Sequence, residues 1–196
     1  MLPMPSDTDT LVSVVGIDPG SETMGVGIIT YDAFTHVIAS CEAYTFTGSK
    51  LPGSEWLGSI APPRVQRIAA HETNLVRIFR RVRPLAVASE APFINKRFPQ
   101  AGLVLTEVIS AIRQAVKTYD PWRVLYMIEP SRAKNAVGAS GGADKDAVKA
   151  ALLQLPELVN TALTPLAELD EHSVDALAVA YCQVKCMWDS NFSPLN

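Results

Sequence analysis

Val14-Val15-Gly16-Ile17-Asp18-Pro19-Gly20-Ser21-Glu22-Thr23 is a β-branched run that ends on a carboxylate and breaks into a Pro-Gly turn. The run predicts a strand over Val12–Ile17, and the turn lets a second, glycine-spaced strand, Gly25–Tyr31, fold back beside it. Asp18 then stands at a strand rim, where chemistry can happen. Asp before Pro-Gly is also ordinary turn composition, so the rest of the chain has to decide.

Outward from this stretch, a third run, His36–Phe46, completes an antiparallel meander. Thr47–Pro63 is rich in Gly, Ser and Pro and reads as a loop; Arg64–Val82 has helical spacing. Pro84 separates that helix from a short apolar strand, Leu85–Ala88, which delivers a second carboxylate, Glu90, to its end. A loop over Ala91–Gln100 leads to an amphipathic helix, Leu103–Tyr119, and then to a strand expected to be buried, Val124–Ile128. Three glycines in Val137–Ala143 suggest a mobile loop. Lys145 and Lys149 lie four apart on the next helix, with Val148, Ala151, Leu152 and Leu155 facing inward. Asp170 is a plausible N-cap for the last helix, on which His172 and Asp175 are three apart and Val174, Leu177, Ala178 and Tyr181 form the packed stripe. This order implies an α/β or α+β sheet covered by helices, with strand ends as natural site positions.

With 196 residues, 48% of them hydrophobic, the chain suits one domain, expected over 12–188 between a flexible leader (1–11) and a C-terminal tail (189–196). No apolar run reaches membrane-spanning length and the start lacks a secretory pattern, so a cytoplasmic location and no membrane partner are expected. Cys41, Cys182 and Cys186 form no metal or disulfide spacing and read as small core residues. The net charge of −3 hides an asymmetry: Arg64 to Lys149 holds 15 Lys/Arg against 7 Asp/Glu, a balance of +8, while the flanks hold 2 against 13, a balance of −11. A basic middle is compatible with a phosphate-binding face and equally with helices bearing solvated arginines.

Asp18, Glu90, His172 and Asp175 need a common explanation. If the last helix crosses the same rim, three carboxylates and an imidazole would repel one another without cations. Hard oxygen donors suit Mg²⁺ or Mn²⁺, and a pair of such ions about 3.5–4 Å apart hydrolyses phosphodiesters. The reaction implied is cleavage of a nucleic-acid backbone.

Gly16-Ile17-Asp18-Pro19-Gly20-Ser21, followed by Thr23, Gly25 and Gly27-Ile28-Ile29, resembles the first motif of RuvC-type Holliday-junction resolvases of the ribonuclease-H-like superfamily. Val87-Ala88-Ser89-Glu90-Ala91-Pro92-Phe93 resembles their second motif and His172-Ser173-Val174-Asp175-Ala176-Leu177-Ala178 their last. Arg132-Ala133-Lys134, Val137-Gly138 and Ala143-Asp144-Lys145 resemble their basic DNA-contacting region, and the ordered set runs from Val14 to Ala180. The resemblance implies a ribonuclease-H-like fold with a five-stranded mixed sheet, the meander followed by two further strands, and helices on both faces. It also implies a structure-selective endonuclease that nicks four-way or other branched DNA in symmetry-related strands, as a homodimer. Asp18, Glu90, His172 and Asp175 would hold two Mg²⁺, for which Mn²⁺ can substitute, and Lys145 would complete the catalytic set. Phe93 would wedge into unpaired junction bases, and Lys96, Arg97, Arg132, Lys134, Lys145 and Lys149 would contact DNA.

The pattern departs from the family in three places. His172 stands where many relatives place Asp, the Gly48–Pro63 loop with Trp56 looks longer than usual, and Asp146 follows Lys145. Other readings stay open at this stage: a flap or RNA-processing nuclease of the same superfamily, a non-catalytic junction-binding protein, or an actin-like phosphotransferase, whose first phosphate-binding turn Asp18-Pro19-Gly20-Ser21 also resembles. The last would need a duplicated domain that 196 residues do not supply.

Overall fold

A computed structural model describes residues 10–48, 61–92 and 99–190. Most of the leader, most of the Gly48–Pro63 loop with Trp56, Phe93, Lys96, Arg97 and the last six residues lie outside the described residues. Five strands, β1 (Leu11–Asp18), β2 (Thr23–Asp32), β3 (Ile38–Thr47), β4 (Ala86–Glu90) and β5 (Leu125–Ile128), form one sheet in the order β3-β2-β1-β4-β5. The first three pair antiparallel; β4 runs parallel to β1, and β5 parallel to β4.

Residues alternate between the two faces of a strand, and here both faces are covered. On one, α1 (Pro63–Val82) and α2 (Pro99–Tyr119) bury Val15, Ile17, Val26, Ile28 and Val87. On the other, α6 (Glu171–Asp189) covers Val14, Ile29 and Ala88, flanked by the short helices α3 (Pro130–Ala136), α4 (Lys145–Leu152) and α5 (Pro156–Val159). Continuous burial explains why Val14-Val15 reads as an unbroken apolar run rather than an alternating one. The mixed sheet with helices on both faces is therefore as expected.

The packing of α6 is unusually close, because the sheet offers it glycines. A Cβ on Gly16 would lie 2.3 Å from Ala180 N and 2.4 Å from Ala176 O, and one on Gly27 would lie 2.6 Å from the Leu177 backbone. Backbone cannot yield at these distances, so a single added methyl must push the helix off the sheet. Gly16→Ala is expected to cost on the order of 3 kcal/mol, read as a lower denaturant midpoint, with Gly27→Ala behaving alike.

Two local expectations need correction. Val124–Ile128 is an edge strand and not a buried one: Val124 is 55% and Tyr126 45% exposed, because β5 is last in the sheet order and α6 lies over β1 and β2. The predicted inward stripe of α4 also stops early. Its helix ends at Leu152, so Leu155 lies beyond it and is only partly buried. Cys41 and Cys182 are buried, as small core residues should be, whereas Cys186 is partly exposed. Among the described residues no helix is long and apolar enough to cross a membrane.

Candidate active site

Strand register brings the first two carboxylates together. Ile17 pairs with Ser89 across the parallel β1–β4 ladder, so Asp18 and Glu90 follow as neighbours at the same end, roughly 5 Å apart in backbone. Both share the parity of Gly16 and Ala88 and therefore project toward α6. That helix starts at the same rim, because Asp170 caps it: the Asp170 carboxylate accepts from Ser173 N at 2.9 Å and from Thr45 Oγ1 at 3.0 Å, which also ties the helix start to β3. His172 and Asp175, one helical turn apart, hang over the strand ends.

The four candidate groups form one acidic cluster. His172 Nδ1 lies 2.6 Å from Asp18 Oδ2 and donates to it, and the Asp18 and Asp175 side chains are only 16% and 18% exposed. Burial raises the Asp18 carboxyl above its ordinary range, with the His172 contact opposing. Burial and the neighbouring charges of Asp18 and Asp175 push Glu90 up to about 7. Asp175 is raised by burial and by Asp18. These shifts describe negative groups gathered where water solvates them poorly, an arrangement a cation would relieve.

Lys145 is the cation closest to hand. Its Nζ donates to Glu171 Oε2 at 2.8 Å and sits 4.0 Å from Asp175 Oδ2. Partial burial works against its charge, but the Glu171 hydrogen bond and the carboxylates of Asp175 and Asp18 outweigh it and raise its pKa. Lys134 is near enough to lower Glu90 and Asp175, while its ammonium donates to Ala143 O at 2.6 Å and pins the loop that leads to α4.

Two other basic residues point elsewhere. Lys149 Nζ donates to Leu169 O at 2.7 Å, clamping α4 to the segment that enters α6. Arg132 Nη2 lies 3.0 Å from Cys186 Sγ, toward the far end of α6. Phe93, Lys96 and Arg97 are among the residues not described.

Sequence reasoning missed the residues that hold the site in shape. Glu171, which pairs with Lys145, carries no motif signal beyond its place in the first turn of α6. Arg67 Nε and His71 Nε2 both reach Ser21 O at 3.3 Å, gripping from α1 the turn that follows Asp18. His71 is 1% exposed, and a buried histidine on a helical face could have marked it. Within the same turn a Cβ on Gly20 would lie 2.0 Å from Thr23 O, so only glycine fits. Arg67→Ala is expected to lower kcat about tenfold with KM little changed, because it loosens the turn that follows Asp18; Arg67→Lys should restore part of the loss.

A sheet of order β3-β2-β1-β4-β5 with helices on both faces has the ribonuclease-H-like fold, and here it carries carboxylates at adjoining ends of β1 and β4, faced by a helix bearing an imidazole and a further carboxylate. No family model matches the chain. The crossover junction endodeoxyribonuclease RuvC of Rubrobacter xylanophilus is 30% identical over 175 residues, covering 86% of this chain and 83% of that protein. The structure of Thermus thermophilus RuvC superposes with a TM-score of 0.68 at 21% identity over 94% of this chain and 100% of the other. Its complex with Holliday junction substrate gives 0.66 at 19% identity, with the same coverage. The chain belongs to the RuvC family of crossover junction endodeoxyribonucleases.

Proposed function

We propose that this protein resolves four-way DNA junctions by paired nicking, hydrolysing one phosphodiester in each of two symmetry-related strands. The observation that carries the reading is the convergence of Asp18, Glu90, His172 and Asp175 on one rim in a chain of this family. Among the described residues no three His, Cys, Asp or Glu side chains close into a ready-made metal cluster. Asp18 spends one oxygen on His172, and the carboxylates repel each other. The donor set nevertheless suits a hard divalent ion: three carboxylates with raised affinity for positive charge, and an imidazole able to turn its Nδ1 from Asp18 toward a ligand role.

Asp18, Glu90, His172 and Asp175 would hold two Mg²⁺, with Mn²⁺ able to replace them. When bound, the pair supplies the positive charge that acidifies an attacking water and offsets charge on the leaving oxygen. Lys145 leaves Glu171 for the scissile phosphate and stabilises the charge growing on its oxygens. Lys134 adds positive potential beside Glu90. Lys149 and Arg132 lie against Leu169 O and Cys186 Sγ, away from the acidic cluster, and Phe93, Lys96 and Arg97, which follow β4 in sequence, are the candidates for junction contacts.

Paired cuts need two sites, so a homodimer is part of this reading. Leu103 on α2 is 67% and Val65 on α1 46% exposed, which offers the α1/α2 face as the apolar part of such an interface. The experiment is incubation of labelled four-way junction, flap and linear duplex with the protein and Mg²⁺. Symmetric nicks in the junction, faster by at least about tenfold than cuts in either other substrate, are expected. Equal or faster flap cleavage would replace the junction with a flap as the substrate, and no cutting at all would sink the reading.

A further inference from the structure

β1, β4 and β5 run parallel, so Asp18 and Glu90 mark one end of the sheet and the residues entering β5 mark the other. At that far end Trp122 is 92% exposed, beside the half-exposed Val124 and Tyr126. Three cavities meet there. One of 340 Å³ is lined by Leu85, Trp122, Arg123 and Tyr126. A second, of 250 Å³, shares Leu85 and Tyr126 with it and adds Arg132, Gln183 and Met187. The third, also 250 Å³, shares Arg123 and Val124 and adds Arg113 and Lys117.

The charge around this groove is unbalanced. Asp120 is matched by Arg123 at 3.1 Å, whereas among the described residues Arg113, Lys117 and Arg132 pair with no carboxylate; Lys117 donates to Pro121 O and Arg132 to a thiol. Gln183, which lines the second cavity, is a polar side chain only 6% exposed. Among the described residues no further strand pairs with the outer edge of β5, and such an edge offers backbone groups to an extended segment. Cations stand on both faces of that edge, Arg113 and Lys117 on the α2 side and Arg132 on the α6 side. Alternating side chains of an added strand would reach both. In the function proposed above the reacting strand lies at the opposite rim, beside Asp18 and Glu90, and this groove is at the other end of the sheet.

We propose that the far end of the sheet is a docking groove for an acidic, extended peptide segment of another protein. The segment lies along β5 with an apolar side chain against Trp122 and Tyr126 and carboxylates toward Arg113, Lys117 and Arg132. The test uses the full chain and a fluorescein-labelled octapeptide of repeating Asp-Asp-Leu-Leu, which puts carboxylates on both faces of a strand, with a twin in which Lys replaces Asp, followed by fluorescence anisotropy at low and high salt. The acidic peptide is expected to bind, to weaken with salt, and to lose at least about tenfold in affinity with Trp122→Ala and with Arg113→Glu, while the Lys twin does not bind. Both substituted residues are at the surface, and both variants should nick junctions like the wild type. Absence of binding, equal binding of the twin, or indifference to both substitutions overturns the proposal. So does a tighter complex with a fluorescein-labelled single-stranded oligonucleotide that Trp122→Ala abolishes, which would assign the groove to nucleic acid. Failure of the wild type to nick junctions would touch the proposed function and leave this result standing.

Discussion

Asp18→Asn is expected to reduce junction nicking by roughly 10³-fold or more while leaving junction binding within about threefold of the wild type. Asp18 is linked to every other member of the cluster: it neighbours Glu90 across the β1–β4 ladder, accepts from His172 Nδ1 at 2.6 Å and raises Asp175 by its charge. Asparagine keeps the shape and can still accept from His172 through its amide oxygen, so the fold should survive. What it loses is the negative charge with which the cluster would attract a divalent cation. Single-turnover cleavage of labelled junction with Mg²⁺, alongside gel shift of the same junction with Ca²⁺, separates the two effects. Nicking at wild-type rates would remove Asp18 from the mechanism, and lost binding would make its role architectural.

The sequence carried β1 and its carboxylate plainly, because a strand buried on both faces leaves a dense β-branched run and Pro-Gly ends it at the rim. Glu90 was legible for the same reason, and Asp170 because an N-cap is a local signal that the hydrogen bond to Ser173 N bears out. Convergence was not legible, since residue spacing says nothing of which face a distant helix will cover. It follows here from Gly16, Gly25 and Gly27, whose missing side chains let the α6 backbone settle on the sheet: a Cβ on Gly25 would lie 2.1 Å from His172 O. The edge exposure of β5 was misread because an apolar run of Leu-Tyr-Met-Ile looks alike in the middle of a sheet and at its margin. Glu171 and the Arg67–His71 grip escaped because each acts through one contact with a backbone or a lysine, which leaves no pattern in one chain.

Glu90→Gln should abolish nicking to a similar degree and yet stabilise the metal-free protein at pH 8. The unfolded chain holds the Glu90 proton only below its ordinary value of 4.5, whereas the folded protein holds it up to about 7. Between these values the folded state binds the extra proton, so its stability falls as pH rises through that window, and above about 7 the whole penalty is present. At about 1.4 kcal/mol per unit, discounted for the partial exposure of the side chain, the penalty is on the order of 2 kcal/mol. Glutamine is uncharged at every pH and escapes it. In EDTA the variant is therefore expected to melt roughly 4–8 °C above the wild type at pH 8 and close to it at pH 5. Asp18 and Asp175 remain in the variant, so part of the wild-type pH slope should persist; only the difference between the two proteins isolates Glu90. Added Mg²⁺ should raise the wild-type melting temperature at pH 8 and move the variant much less, because the charge that repels its neighbours is also the charge that attracts the ion. A variant no more stable than the wild type at pH 8 would mean that Glu90 is solvated in the free protein and is no member of the acidic cluster.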